Sequence, residues 1–486
     1  MLAASQALSW MCRNPGLTAR RAVPLATLLV AALVLVVASP AGHYGLILAI
    51  VPFLAAATHS VAGTAVVGVL TVGTYALLRN QLAEYGTAVW LIKLGFVATS
   101  SVVAVLMAQA RVRERALAHS RDLALALQQG LLPRRFPHTS AVEVCHRYVP
   151  ADTKAGVGGD WYDVIPLSGS RVALVIGDVA GHGIHAAAMM GRLRTAVHTL
   201  ADLDMGPDEL LARMDDLVAR TGANEEQCEL AATCLYLVYD PVSGRGSMAG
   251  AGQPPPAFVH RDGRVEFARL PEHPPLGLGG TRFRKVDFAI APGTVIALYT
   301  DGLLDLRRNH TDVALSHLAD DLANGGPMLD GMADRVCTSP HVSTDDDVAL
   351  LLARTRTLPV ADVASWEYPA TPRSVPRARN AVTAQLQAWG LEEMAFGIEL
   401  AVSELLTNAV THARGPVTVR LIRDLALICE VADTSSSAPR LRHAQLMDEG
   451  GRGLDLVSQV ADRWGTRYTD TGKTIWIEQA LPVLLP

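Results

Sequence analysis

Charge is absent from much of the N-terminal region. Ala22 to Leu78 contains no Asp, Glu, Lys or Arg, and residues 22–110 hold only Arg79, Glu84 and Lys93. A stretch of 57 charge-free residues is too long for one bilayer crossing, which needs about 20. Cysteine is equally uninformative as a framework. Cys12, Cys145, Cys228, Cys234, Cys337 and Cys429 are scattered without C-x-x-C spacing, which excludes a zinc ribbon, gives no disulfide scaffold and fits a reducing cytosol. No long basic run is present and the net charge is −5, which excludes a nucleic-acid-wrapping role.

Breaks at Pro40–His43 and His59–Gly63 divide the apolar region into spans near 23–39, 44–59 and 61–78, with a fourth from Ala88 to Met107. Arg13, Arg20 and Arg21 precede the spans and Arg111, Arg113 and Arg115 follow them. Basic flanks on both sides place both ends in the cytoplasm and require an even number of spans, predicted here as four. Val37-Ala38-Ser39 imitates a signal-peptide cleavage site, but the apolar character continues past it. Lys93 lies five residues into the last span, close enough to the interface to snorkel. The sequence after Met107 has helix-forming composition up to Pro133.

The remainder holds 83 of the 89 charged residues, an ordinary soluble composition. The 486 residues suggest roughly three units at about 150 residues per domain. The expected organisation is an N-terminus at 1–22, a membrane segment of about four helices at 23–108, a connecting helix at 109–132, a first soluble domain at 133–355, a Pro-containing linker at 356–375 and a second soluble domain at 376–486.

In the first soluble domain, Asp repeatedly sits beside Gly near an apolar run: Asp160 in VGGDWYD, Asp178 in VALVIGDVAGHG, Asp301 in VIALYTDGLLD, and Asp346 with Asp347 in DDDVALLLAR. Such carboxylates are predicted at strand ends, where Gly admits a ligand close to the backbone. Oxygen-only ligands suit Mg²⁺ or Mn²⁺, not zinc. Trp161 follows Gly158-Gly159-Asp160 where a diguanylate cyclase needs an acidic residue, and GDVAGHG lacks the Lys of a P-loop.

The stretches LQQGLLP, PADTKAGVGGDWYD, GDVAGHGIHAAAMM, AGAGQPPP, LYTDGLLD and DDDVALLL together resemble the stage II sporulation protein E type of metal-dependent (PPM) serine/threonine phosphatases. The resemblance implies an αββα sandwich with two Mn²⁺ or Mg²⁺ at one end of its sheets. Asp178 would bridge both ions and Val179 would offer its carbonyl. Asp160 would bind one ion, and Asp301 with Asp346 the other, Asp347 being the alternate. Activated water would attack a phosphoserine or phosphothreonine without a covalent phosphoenzyme. His182 reads as a turn residue beside the metal loop rather than a general acid. Gln253 stands where the family often has His, which bears on substrate contacts more than on metal binding.

In the second soluble domain, ARNAVTAQLQAWG and MAFGIELAVSELLTNAVTHA read as amphipathic helices. Glu404, Asn408 and His412 recur every four residues and share one face. LALICEVAD is strand-like and ends at Asp433, EGGRGLDL places Gly450, Gly451 and Gly453 before a helix, and GKTIWIEQA is a last strand. These pieces resemble the anti-sigma factor serine kinases of the GHKL ATPase superfamily, an α/β sandwich. The resemblance implies ATP with Mg²⁺ on Asn408, Asp433 on the adenine amino group, Gly451 and Gly453 along the phosphates, Thr474 supporting the adenine pocket, and Glu404 orienting the acceptor hydroxyl. VADTSSSAP lacks the glycines of the superfamily's Asp-x-Gly-x-Gly.

Together the resemblances imply a multi-pass membrane regulator with both soluble domains cytoplasmic. Its phosphatase would act on a phosphorylated anti-anti-sigma (STAS-type) protein, and its ATPase-like domain would phosphorylate that protein or bind a sigma factor. Homodimerisation through the connecting helix is a further expectation. Two alternatives stand beside it. One is a docking scaffold in the C-terminal domain. The other is a sensor histidine kinase, for which His119 is the sole candidate on a suitable helix, followed by Ser120 rather than an acidic residue.

Overall fold

The computed structural model describes residues 26, 48–77, 87–133, 135–150, 158–181, 183–224, 231–304, 310–342, 346–413, 415–435, 453–469 and 472–482. The chain forms two compact units, Met1–Asp122 and Leu123–Pro486.

The first unit contains α1 (Val51–Thr58) and α2 (Val61–Leu77), and α3 (Thr87–Leu131) begins in it. Pro sits in the first turn of α1, and His59 leaves the helix with φ −109° and ψ 167°. Ser60 then starts α2 by accepting a bond from Gly63 N at 3.2 Å, as an N-cap serine does. Val51, Ala55, Val67, Tyr75 and Val97 pack together, and Ala56, Ala104 and Ala108 form a second small-residue contact. Thr64, Thr71 and Ser101 turn their hydroxyls onto carbonyls four residues back, which leaves no bare hydroxyl in an apolar setting.

The span count needs correction. Among the described residues one helical stretch, Thr87–Ala116, is long and apolar enough to cross a membrane. It contains the span expected at 88–107. Within the spans expected at 44–59 and 61–78, the described residues form α-helices of 8 and 17 residues, the first about 12 Å long and ended where His59 turns to extended backbone. The span expected at 23–39 lies outside the described residues apart from Ala26.

The second unit opens with two five-stranded antiparallel sheets. One has the order β1-β10-β9-β6-β7, built from β1 (Val142–Val149), β10 (Val348–Thr355), β9 (Val295–Tyr299), β6 (Ala257–Val259) and β7 (Val265–Phe267). The other has the order β2-β3-β4-β5-β8, built from β2 (Trp161–Pro166), β3 (Val172–Val179), β4 (Ala232–Asp240), β5 (Arg245–Ala251) and β8 (Val286–Ala289). Leu174, Ile176, Leu235 and Leu237 meet Ile296, Leu298 and Leu351 between the sheets. Outside the second sheet lie α4 (Ile184–Asp202) and α5 (Pro207–Asn224), packed through Leu193, Val197, Leu210 and Met214. Outside the first lie α6 (Thr311–Ala323) and α7 (Leu329–Cys337), packed through Leu318, Leu322, Met332 and Val336. Because both faces of each sheet are covered, β3 and β10 read as continuous apolar runs instead of alternating ones. The result is an αββα sandwich.

A third antiparallel sheet, β11-β12-β13-β15-β14, follows, built from β11 (Val363–Tyr368), β12 (Val417–Arg423), β13 (Ala426–Asp433), β15 (Gly472–Ala480) and β14 (Arg463–Thr469). Three helices, α8 (Ser374–Ala388), α9 (Ala395–His412) and α10 (Gly453–Val460), cover one face through Val382, Leu386, Val402, Leu406 and Val457. The stretch read as a linker, 356–375, therefore carries β11, which pairs with β12 through Trp366 and Val419. Its prolines mark the turns on either side of that strand.

The other face of this sheet meets the sandwich. Arg420, Glu430 and Trp476 are cross-strand neighbours. Arg467 donates to Glu430 Oε1 at 3.2 Å and to Ser168 Oγ at 3.1 Å. Gly169 (φ +69°) lies so close to this row that a Cβ there would fall 2.5 Å from Glu430 Oε1, so the contact requires glycine.

Candidate active site

Antiparallel pairing gathers the predicted acidic residues at one edge of the sandwich. Trp161 at the start of β2 pairs with Gly177 near the end of β3, so Asp160 and Asp178 are neighbours. Leu350 near the start of β10 pairs with Tyr299 at the end of β9, so Asp346 and Asp347 lie beside Asp301. The glycines make this crowding possible. A Cβ on Gly159 would fall 2.1 Å from the Val179 carbonyl oxygen and 2.8 Å from Asp178 Oδ1, and one on Gly158 would overlap the Asp347 carboxylate.

The electrostatics follow from this crowding. Burial, reinforced by the Asp178 charge, pushes the Asp160 carboxyl well above the ordinary range. Asp178 is pushed up to about 6, first by burial, with part offset by its hydrogen bond to Asp160, and then by the charges of Asp301, Asp346 and Asp347. Asp301 is raised by burial and by Asp346. The two acids of the last motif differ in their surroundings, although both raise Asp178. Asp346 is exposed and acts on Asp301, whereas Asp347 is 5% exposed and acts on Asp160. Asp346 Oδ1 also accepts the Asp347 N–H at 2.9 Å.

No Lys or Arg is ion-paired with Asp160, Asp178, Asp301 or Asp346 among the described residues. Nor do three His, Cys, Asp or Glu side chains close around a single point. The site is an open acidic basin. An all-oxygen donor set whose members raise one another's pKa, with Asp160, Asp178, Asp301 and Asp346 not ion-paired to a cationic side chain among the described residues, fits a divalent cation such as Mg²⁺ or Mn²⁺. His182 lies outside the described residues.

Sequence reasoning missed the neutral groups that hold the acids. Thr300, 1% exposed, donates to Asp160 Oδ2 at 2.8 Å and accepts from Ala349 N at 2.9 Å. A Thr between a strand and an acidic turn is common enough to carry no signal. Asp163 was also passed over. It is buried on β2 and bound by Arg194 Nε at 2.5 Å and His198 Nε2 at 2.8 Å, both from α4.

In the C-terminal domain Glu404 and Asn408 lie half-buried on α9, which packs against β13 and α10. Asp433 ends β13, and Thr474 is buried on the neighbouring β15. Gly453 opens α10, while Gly451 lies outside the described residues. Asp433 is not free: Lys473, directly opposite in the ladder, places Nζ 3.2 Å from Oδ1 and 3.1 Å from Oδ2. Ser435 N adds a bond to Oδ1 at 2.7 Å.

Comparison with known proteins gives two domain matches. Residues 168–356 match the family model of stage II sporulation protein E (SpoIIE), and residues 368–478 match that of the histidine kinase-like ATPase domain. Phosphoserine phosphatase RsbP of Bacillus subtilis is 25% identical over 172 residues, which are 33% of this chain and 42% of that protein. Phosphoserine phosphatase RsbU of the same organism is 24% identical over 187 residues, 38% of this chain and 53% of that protein. The chain thus spans about half or less of the length of these curated relatives. A crystal structure of the RsbU and RsbW domains of a Mycobacterium tuberculosis protein is 24% identical, with a TM-score of 0.41, covering 71% of this chain and 96% of that one.

Proposed function

We propose that this chain is a metal-dependent protein serine/threonine phosphatase acting as a partner-switching regulator, with a histidine-kinase-like ATPase domain at its C-terminus. The observation that carries the reading is the basin of Asp160, Asp178, Asp301, Asp346 and Asp347, of which all but Asp160 lie within the stretch 168–356 that matches the SpoIIE model. Asp160, Asp178 and the Val179 carbonyl would hold one Mn²⁺ or Mg²⁺, and Asp301 with Asp346 a second, Asp178 reaching both. Ions so held supply Lewis-acid polarisation of a phosphoryl group and lower the pKa of water. The chain's own part is positional. Gly158 and Gly159 let the strand ends close on one another, Thr300 orients Asp160, and burial keeps Asp160 and Asp347 out of bulk solvent.

The substrate in this reading is a phosphorylated anti-anti-sigma (STAS-type) protein, supported by the likeness to RsbP and RsbU. Asn408, Asp433, Gly451, Gly453 and Thr474 would bind ATP with Mg²⁺, and Glu404 would orient an acceptor serine. The domain would then rephosphorylate the same partner or hold a sigma factor. The apolar outer face of α3, where Leu91, Ile92, Phe96, Val102 and Leu106 are exposed, supports attachment to a membrane, with the soluble domains cytoplasmic. Self-association through α3 completes the reading.

The test is phosphate release from a phosphoserine STAS protein by the full chain in detergent with Mn²⁺. Wild type is expected to turn over, and Asp178→Asn to lose at least a hundredfold. Release that persists in Asp178→Asn or in excess EDTA would sink the proposal.

A further inference from the structure

Gln253 follows Gly252 in the turn between β5 and β6. Both ends of its amide point into the sandwich. Oε1 accepts a bond from Thr233 Oγ1 of β4, and Nε2 donates to the Tyr299 carbonyl at the end of β9 at 3.0 Å. The same Thr233 oxygen accepts the backbone N–H of Asp178 at 3.2 Å. One residue past Tyr299, Thr300 donates to Asp160, and Asp301 follows. β4 and β3 belong to one sheet, and β9 belongs to the other. The amide therefore joins the two sheets at the edge where the carboxylates gather.

The direction of each bond is fixed by proton count. The Tyr299 carbonyl can only accept, so it takes Nε2 and turns Oε1 toward Thr233, whose single hydroxyl proton then goes to Oε1 while its oxygen accepts from Asp178 N. The position demands one acceptor and one donor at opposite ends of a short planar group. Gln supplies both, and neutral His supplies both in one tautomer. Leu supplies neither.

We propose that Gln253 is a positioning residue that fixes the separation between the Asp160/Asp178 half of the site and the Asp301/Asp346 half, and so sets the affinity for a pair of divalent cations. This rests on the reading of the basin as a two-cation site. Paired ions in such sites stand about 3.5–4 Å apart, and the carboxylates around them repel one another when no cation is bound. A neutral strut between the sheets holds that spacing without adding charge. The expectation that Gln253 concerns substrate contacts is thereby redirected inward. Outer groups that orient cation ligands are typically worth 10–100-fold in affinity.

The experiment is Mn²⁺ titration of the full chain in detergent by calorimetry, with thermal unfolding in EDTA alongside. Gln253→Leu is expected to bind Mn²⁺ about 10–100-fold more weakly while its EDTA unfolding temperature stays near that of wild type. Gln253→His is expected to recover most of that loss. Thr233→Val, which breaks the same relay one bond earlier, is expected to weaken Mn²⁺ in the same direction and decides the matter should the Leu variant not fold. A Leu variant that folds and binds Mn²⁺ with wild-type affinity and stoichiometry would overturn this inference alone. A wild-type chain that binds no Mn²⁺ would overturn the two-cation reading together with it.

Discussion

Trp476 donates its indole N–H to Asp204 Oδ2 at 3.1 Å, joining the ATPase-like sheet to the sandwich. The same carboxylate accepts from Ser168 Oγ and from Arg171 Nη2, each at 2.6 Å. Asp204 is thus the shared acceptor of the domain contact. It lies two residues beyond the end of α4, the helix that begins just after the Asp178 loop, and it adopts φ +56°, a conformation Asp tolerates better than most residues.

Removing this acceptor takes the ion-pair partner from Arg171, which keeps its bonds to Ser168, so the loss falls toward the low end of about 3–5 kcal/mol for buried pairs. Asp204→Ala is therefore expected to destabilise the chain by about that amount, whereas Trp476→Phe forfeits a single hydrogen bond, about 1 kcal/mol. Chemical denaturation checks the order. Since α4 has 19 residues and is about 28 Å long, Trp476→Phe is expected to leave Mn²⁺ affinity unchanged. Equal stability of wild type and Asp204→Ala would refute the role given to this carboxylate.

The acidic basin sets a pH dependence in the metal-free chain. Asp178 has a folded pKa of about 6 against an ordinary 3.8, so between these values the folded state binds more protons than the unfolded one. Its contribution to stability is complete below pH 3.8 and is lost as pH rises through 6. In EDTA, the stability advantage of Asp178→Asn over wild type is therefore expected to grow from pH 5 to pH 7. Mn²⁺ is expected to abolish that advantage, because a cation does what the protons did. Thermal unfolding of both proteins at the two pH values provides the measurement, and a gap that shrinks with rising pH in EDTA would contradict it.

Asp163 obeys the opposite sign. Burial raises its pKa, but the hydrogen bond from His198 and the charge and hydrogen bond of Arg194 outweigh burial and hold it below the ordinary range. Its stabilisation is present above that range and disappears as pH falls through the depressed value. Asp163→Ala is expected to cost toward the low end of about 3–5 kcal/mol, because Arg194 keeps 26% exposure. A double-mutant cycle with Arg194→Met should return a coupling above about 1 kcal/mol. A coupling near zero would mean that α4 is held by packing alone.

The acidic basin was legible because Asp-Gly pairs next to apolar runs report both strand ends and close approach in the local sequence. The two sheets were not distinguishable by alternation, since covered strands such as β3 and β10 are apolar on both faces. β11 hid in a Pro-rich stretch because it is an edge strand, where one ladder suffices and Pro can flank it. The relay through Thr233 and Gln253, and the Asp204–Trp476 contact, join residues 20 and 272 positions apart. No local pattern encodes such pairs; they exist only once the topology is known.

In the proposed ATP site, Lys473 and Asp433 form a buried cross-strand ion pair. Both side chains are 2% exposed, and with the Ser435 N–H the carboxylate already accepts from two donor groups. In that proposal, an adenine amino group arriving at Asp433 would compete with an ammonium that sits on the same two oxygens. Charge-assisted bonds are about twice as strong as neutral ones, so the competition favours Lys473. Lys473→Met keeps the length of the side chain and removes its charge, which leaves a buried carboxylate in need of a donor. ATP is expected to bind this variant at least tenfold more tightly than wild type, a gain of about 1.4 kcal/mol, and the double variant Lys473→Met/Asp433→Leu is expected to lose that gain. Calorimetric titration with ATP and Mg²⁺ reads both. Weaker binding in Lys473→Met would instead make the lysine a nucleotide contact, with Asp433 as its anchor.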